Sequence, residues 1–121
     1  MMGRDMPGRR YIESDRIEGT AVYDVNGHHV GSVRRLIVEK ATGQVAYLVI
    51  NFFGIGEDNH AVPWGKFTYD VNAGGYRTDI TQEELRRAPN FSEGEDPGIH
   101  HPDREEELYA YYNIPPANRA L

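Results

Sequence analysis

Residues 19–33 read G-T-A-V-Y-D-V-N-G-H-H-V-G-S-V, and residues 42–52 read T-G-Q-V-A-Y-L-V-I-N-F. Both stretches place short apolar runs beside Gly- and Asn-bearing turns, the pattern of an antiparallel sheet or barrel. Residues 20–23 predict a first strand. Asn26-Gly27, the dipeptide that best tolerates a tight hairpin turn, leads into a second strand over residues 29–39. Gly31 falls inside that strand, where a glycine marks a bulge or a barrel bend. The turn of residues 40–43 then opens a third strand, residues 45–52, which is apolar on nearly every position. A strand apolar on both faces is buried on both. A small barrel fills its interior with one face, so the other must be covered by the tail or by a second protomer.

Working outward, residues 53–58 predict a loop, residues 60–63 a brief strand and residues 64–66 a corner. Phe67, Tyr69 and Val71 alternate on one face of the next strand. Asn72-Ala73-Gly74-Gly75 closes a hairpin onto residues 76–78. Thr81 and Glu84 have the spacing of a capping box, which predicts a short helix over residues 82–88 stopped by Pro89. A polar linker follows to residue 102. Asp103 then starts a second helix of about ten residues, with Glu105 and Glu106 suited to the positive end of its dipole. Leu108, Tyr111 and Tyr112 share one side of that helix at i, i+3, i+4. So short a helix is marginal alone, so its aromatic stripe must dock on the barrel or on a neighbour.

The ordered set of Asn26-Gly27, Gly31, Thr42-Gly43, Tyr47, Gly54, Gly56 and Val62-Pro63-Trp64 resembles the PRC-barrel family. That barrel is shared by the H subunit of purple-bacterial photosynthetic reaction centres and the C-terminal domain of the ribosome maturation factor. The resemblance covers about the first two-thirds of the chain. It implies a mainly β fold: a small antiparallel PRC-type β-barrel, a short helix after the last strand and a C-terminal helical extension. The organisation expected is a flexible segment over residues 1–16, the barrel over 17–80 and a helical, acidic extension over 81–121. The membrane helix of the reaction-centre subunit and the N-terminal domain of the ribosome factor have no counterpart in this sequence, so neither function transfers. What the resemblance implies is a self-associating, protein-binding platform without catalytic apparatus.

Composition narrows the function classes further. The 121 residues suit one domain and contain no Cys, which removes disulfides, thiolate nucleophiles and zinc–thiolate sites. No run approaches the ~20 apolar residues of a membrane span, and no apolar region follows Arg9-Arg10, so a soluble, cytoplasmic chain without membrane insertion is expected. The net charge is −6, of which the last 41 residues carry −5. Direct nucleic-acid binding needs a basic face, and scattered Arg9, Arg10, Arg34 and Arg35 do not form one in sequence.

Candidate chemistry is sparse. His28-His29 and His100-His101 are adjacent pairs, which on a strand point to opposite faces and rarely serve one metal ion. His60 is read as a buried, hydrogen-bonded side chain before an exposed or a catalytic one. Gly54-Ile55-Gly56 lacks the third glycine and following helix of a dinucleotide fingerprint. No catalytic residue, metal ligand or cofactor is assigned. Trp64 is read as a core plug at the barrel end. The expected self-association residues are Tyr47 and Val49 on the third strand, Phe52, Phe53 and Ile55 around its end, and Leu108, Tyr109 and Tyr112 on the tail. For the last two groups, core and interface are both open readings. The leading expectation is a homodimeric adaptor. The alternatives are a ribosome-assembly or RNA-processing factor, and an accessory of a photosynthetic complex.

Overall fold

A computed structural model describes residues 11–54, 59–91 and 102–114. A four-residue helix, α1 (Ser14–Ile17), leads into strands β1 (Ala21–Tyr23), β2 (His29–Val38), β3 (Val45–Phe52) and β4 (Asn59–Pro63). A 3-10 turn over Trp64–Lys66 connects to β5 (Phe67–Asp70) and β6 (Gly75–Thr78). Two helices complete the chain, α2 (Gln82–Arg87) and α3 (Pro102–Tyr111). The strands form one six-stranded sheet in the order β4-β3-β2-β1-β6-β5, curled into a half-barrel.

The expected hairpins form. β1 pairs with β2, β2 with β3, β3 with β4 and β5 with β6, all antiparallel. The sheet departs from the all-antiparallel expectation at one seam, where β1 lies parallel to β6 through Val22↔Tyr76 and Tyr23↔Arg77. This pairing joins the first strand to the last and curls the sheet back on itself. Local patterns cannot reveal it, because its partners are more than fifty residues apart in sequence.

Gly31 has a sharper role than a generic bend. A Cβ there would stand 2.6 Å from Asn51 O and 3.2 Å from the Phe52 Cα, so only glycine lets β2 approach β3 this closely. The β1–β2 register also shifts between Val22 and Tyr23, opposite this glycine and His29. α1 was not anticipated. It begins inside the segment expected to be flexible and delivers Ile17 to the core, with Ile12 packed against it. The capping box forms as expected: Glu84 N donates to Thr81 Oγ1 (3.1 Å) and Thr81 N donates to Glu84 Oε1 (3.0 Å).

The third strand resolves the question of what covers its second face. Leu48 and Ile50 are cross-strand partners of Val62 and His60, so these four side chains share one face. Tyr47 and Val49 occupy the other. Each face meets a different helix of the tail. His60 Nε2 donates to Leu85 O of α2 (3.2 Å), and the Tyr47 ring lies 5.8 Å from Tyr109 of α3. α3 itself packs against β4, and Tyr111 donates its hydroxyl proton to Glu84 O, tying the two helices together. Leu108, Tyr109, Tyr112 and Ile114 belong to the same hydrophobic core as β3. The described helices of the extension thus pack into the same core as the barrel strands.

Candidate functional site

Only one of the two outer strands of the sheet has its far edge occupied by the described backbone. The outer edge of β4 exchanges two hydrogen bonds with Phe91, Asn59 N to Phe91 O (2.8 Å) and Phe91 N to Asn59 O (3.0 Å). The Arg35 guanidinium lies 5.9 Å from the Phe91 ring and helps hold this segment down. β5, at the opposite end of the sheet, has β6 as its only strand neighbour among the described residues.

One face of this β5 end is aromatic. Tyr76 on β6 is buried and gathers three rings edge-on: Trp64 at 5.7 Å, Phe67 at 6.2 Å and Tyr69 at 5.1 Å. Such edge-to-face pairs each add roughly 0.5–1.5 kcal/mol beyond the area they bury. Phe67 and Tyr69 are half-buried, whereas Trp64 is 39% exposed and Val71, just past the strand, is 67% exposed. Trp64 is therefore not the core plug expected. Pro63 ends β4 and the chain turns in a 3-10 turn, which sets the indole on the outside of Tyr76. Gly75 makes the underlying packing possible, because a Cβ there would lie 2.5 Å from Ala21 O.

The other face is ionic. Arg77, the cross-strand partner of Thr68, binds Asp70 Oδ2 through Nη2 (2.6 Å) and Nε (3.2 Å). Its Nη1 also reaches Asp24 O (3.3 Å), tying the β1–β2 turn to the β5–β6 hairpin. The Arg77 bonds hold the Asp70 carboxyl below the usual carboxylate range, with the Ala73 amide contributing next. Lys66 Nζ pairs with Asp79 Oδ1 at 2.8 Å. Val25, Gly65, Lys66, Thr68, Arg77, Thr78 and Asp79 line an open surface cavity of ≈ 280 Å³. That is below the range of about 300–1,000 Å³ typical of small-molecule sites and suits a side chain or two.

The sequence-predicted self-association residues fall elsewhere in the chain. Tyr47, Val49 and Phe52 are buried within the chain's own sheet, and Leu108, Tyr109 and Tyr112 are buried against it. Among the described members of the set, Phe53 alone remains open, at 47% exposure, with its ring 4.9 Å from His29. Ile55 lies outside the described residues. The reason for expecting a second protomer there was an uncovered apolar face, and the tail covers it. Burial raises the Tyr47 phenol well above its ordinary pKa, reinforced by neighbouring Tyr109 and Glu105. Tyr112 is likewise raised by burial.

Other candidates resolve plainly. His60 is buried, hydrogen-bonded to Leu85 and edge-on to Phe52 at 5.7 Å, so it serves the core. His28 pairs with Asp24 at the exposed turn (3.4 Å). His100 and His101 lie outside the described residues. Among the described residues no group of three His, Asp or Glu could hold a metal ion, and no helix is long and apolar enough to cross a membrane. Sequence reasoning missed Tyr76, Arg77 and Lys66 as a cluster. The four-residue turn at 71–74 could have revealed part of it, since it sets Tyr69 opposite Tyr76 and Thr68 opposite Arg77.

A curled six-stranded sheet with glycine-dependent close approaches at Gly31 and Gly75, and a helical cover, defines a small β-barrel module. The PRC-barrel domain model matches residues 10–85, and the chain belongs to that family. Its fold is generally non-catalytic. No curated protein matches the sequence.

Proposed function

We propose that this PRC-barrel chain is a non-catalytic module that binds another protein chain along the β5 end of its sheet. The observation that supports this reading is the grouping of the sole tryptophan, two half-buried aromatics and exposed Val71 at the terminal strand. Around β3 the tail covers the apolar surface, and α1 adds Ile17 to the core. Tryptophan and tyrosine are enriched among the side chains that dominate association energy, and a terminal strand offers main-chain groups to an added strand. The acidic balance of the chain disfavours direct nucleic-acid binding, and the small ionic cavity suits a partner's side chain better than a cofactor.

A photo-crosslinking side chain placed at Trp64, compared with one at exposed Glu106 on α3, tests this in the native host. The expected outcome is protein adducts from position 64 and not from position 106. Equal yields from both positions, or none from 64, contradict it.

A further inference from the structure

We infer that the occupant of the β5 edge is the β5 strand of a second copy of this chain, added antiparallel about a two-fold axis at Thr68. This deepens the protein-binding reading and rests on it.

Three observations lead to this register. In an antiparallel pair, residues of one parity turn both main-chain groups toward the same neighbour. Two identical strands related by a two-fold therefore align residues of the same parity. With Thr68 on the axis, Phe67 stands opposite the partner's Tyr69, and the relation repeats by symmetry. Aromatic pairs directly across a ladder are among the favourable cross-strand combinations. The second observation is charge. Lys66 and Asp70 flank Thr68 at equal spacing on the ionic face, so Lys66 stands opposite the partner's Asp70. Both ends of the pairing then extend the Lys66–Asp79 and Arg77–Asp70 pairs into one alternating network. The third is apolar exposure that the monomer leaves unexplained. The same register carries the partner's Val71 toward Gly65 and Trp64, covering Val71 (67% exposed) and Trp64 (39% exposed) in one step.

Other registers lose these matches. An axis at Phe67 or Tyr69 sets that aromatic against its own copy and moves Lys66 away from the partner's Asp70. Thr68 itself is exposed and small, so its copies meet without steric or charge conflict.

A four-residue strand supplies roughly four main-chain hydrogen bonds, which places the contact in the transient class, under about 1,200 Å². The dissociation constant expected is on the order of 100 micromolar. The absence of native Cys permits a direct test in the full chain. Thr68→Cys puts two thiols across the axis with Cα atoms about 4.5–5.5 Å apart, inside the disulfide range. Mild oxidation is expected to link Thr68→Cys at least about tenfold faster than a Glu106→Cys control. Thr68→Lys sets two like charges face to face and is expected to raise the dissociation constant at least about fivefold, read by sedimentation equilibrium. Thermal melting checks that this exposed substitution leaves the fold intact. A monomeric mass up to about 1 mM, or Thr68→Cys linking no faster than the control, overturns self-pairing. If Thr68→Cys instead links to a different protein in the native host, self-pairing falls while the binding reading stands. If position 68 links to nothing, both fall.

Discussion

Arg77 joins three parts of the β5 end. It pairs with Asp70 on the neighbouring strand, reaches the carbonyls of Asp24 and Val25, and lines the ionic cavity. Its effect on Asp70 is a lowered carboxyl pKa, so the folded chain binds fewer protons there than the unfolded chain does. The associated stability is present above the ordinary carboxylate pKa and is lost as pH falls through the lowered folded value. Arg77→Gln is expected to return Asp70 toward the ordinary value near 3.8, measured by the ¹³C shift of its carboxyl during an acid titration. An unchanged midpoint contradicts the assignment of Arg77 as the cause. Nothing in the sequence marked Arg77, because a lone Arg in a polar hairpin looks like any solvated strand residue. Trp64 shows the opposite error. Its bulk suggested a plug, but where an aromatic sits depends on how Pro63 and the 3-10 turn direct the chain.

At the scale of elements, the docking of α3 decides whether β3 is buried. Tyr111 and Tyr112 are adjacent yet play different parts. Tyr111 donates a hydrogen bond to Glu84 O of α2. The Tyr112 hydroxyl is buried and finds no partner among the described residues. Tyr111→Phe is expected to lower stability by about 0.5–1.5 kcal/mol, while Tyr112→Phe is neutral or stabilising. Leu108→Ala leaves a cavity under the same helix and is expected to cost about 2–5 kcal/mol. Urea unfolding of the three variants checks the order, and a larger loss from Tyr112→Phe than from Tyr111→Phe contradicts it. Helices and hairpins were legible because their signals are local: the capping box at Thr81, the Asn26-Gly27 turn and the apolar run over 45–52. The stripe on α3 was legible in part. Leu108 and Tyr112 face inward as expected, but Tyr109 does so as well. The end of α3 was not foreseen. Asn113 takes φ 57°, and Asn113 N to Ala110 O and Ile114 N to Tyr109 O close a Schellman turn that carries Ile114 into the core.

The described residues form one hydrophobic core, with a different helix of the tail at each face of β3, and leave β5 with one strand neighbour at the sheet's end. Those two features sort the apolar surface differently from any linear pattern. The sequence announced that β3 needed a second cover, and tail and protomer were equally good covers until the chain's path was known. The β1–β6 seam that leaves β5 outermost joins segments more than fifty residues apart, so the candidate site could not be read from local spacing. Amide hydrogen exchange at two concentrations tests the account most directly, one tenfold below and one tenfold above the dissociation constant of about 100 micromolar expected for strand pairing. The account predicts that amides 46–50 of β3 are protected equally at both concentrations, and that protection of residues 67–69 rises at the higher one. Protection of β3 that grows with concentration, with β5 unchanged, would show that the third strand, and not the β5 edge, is where two copies meet.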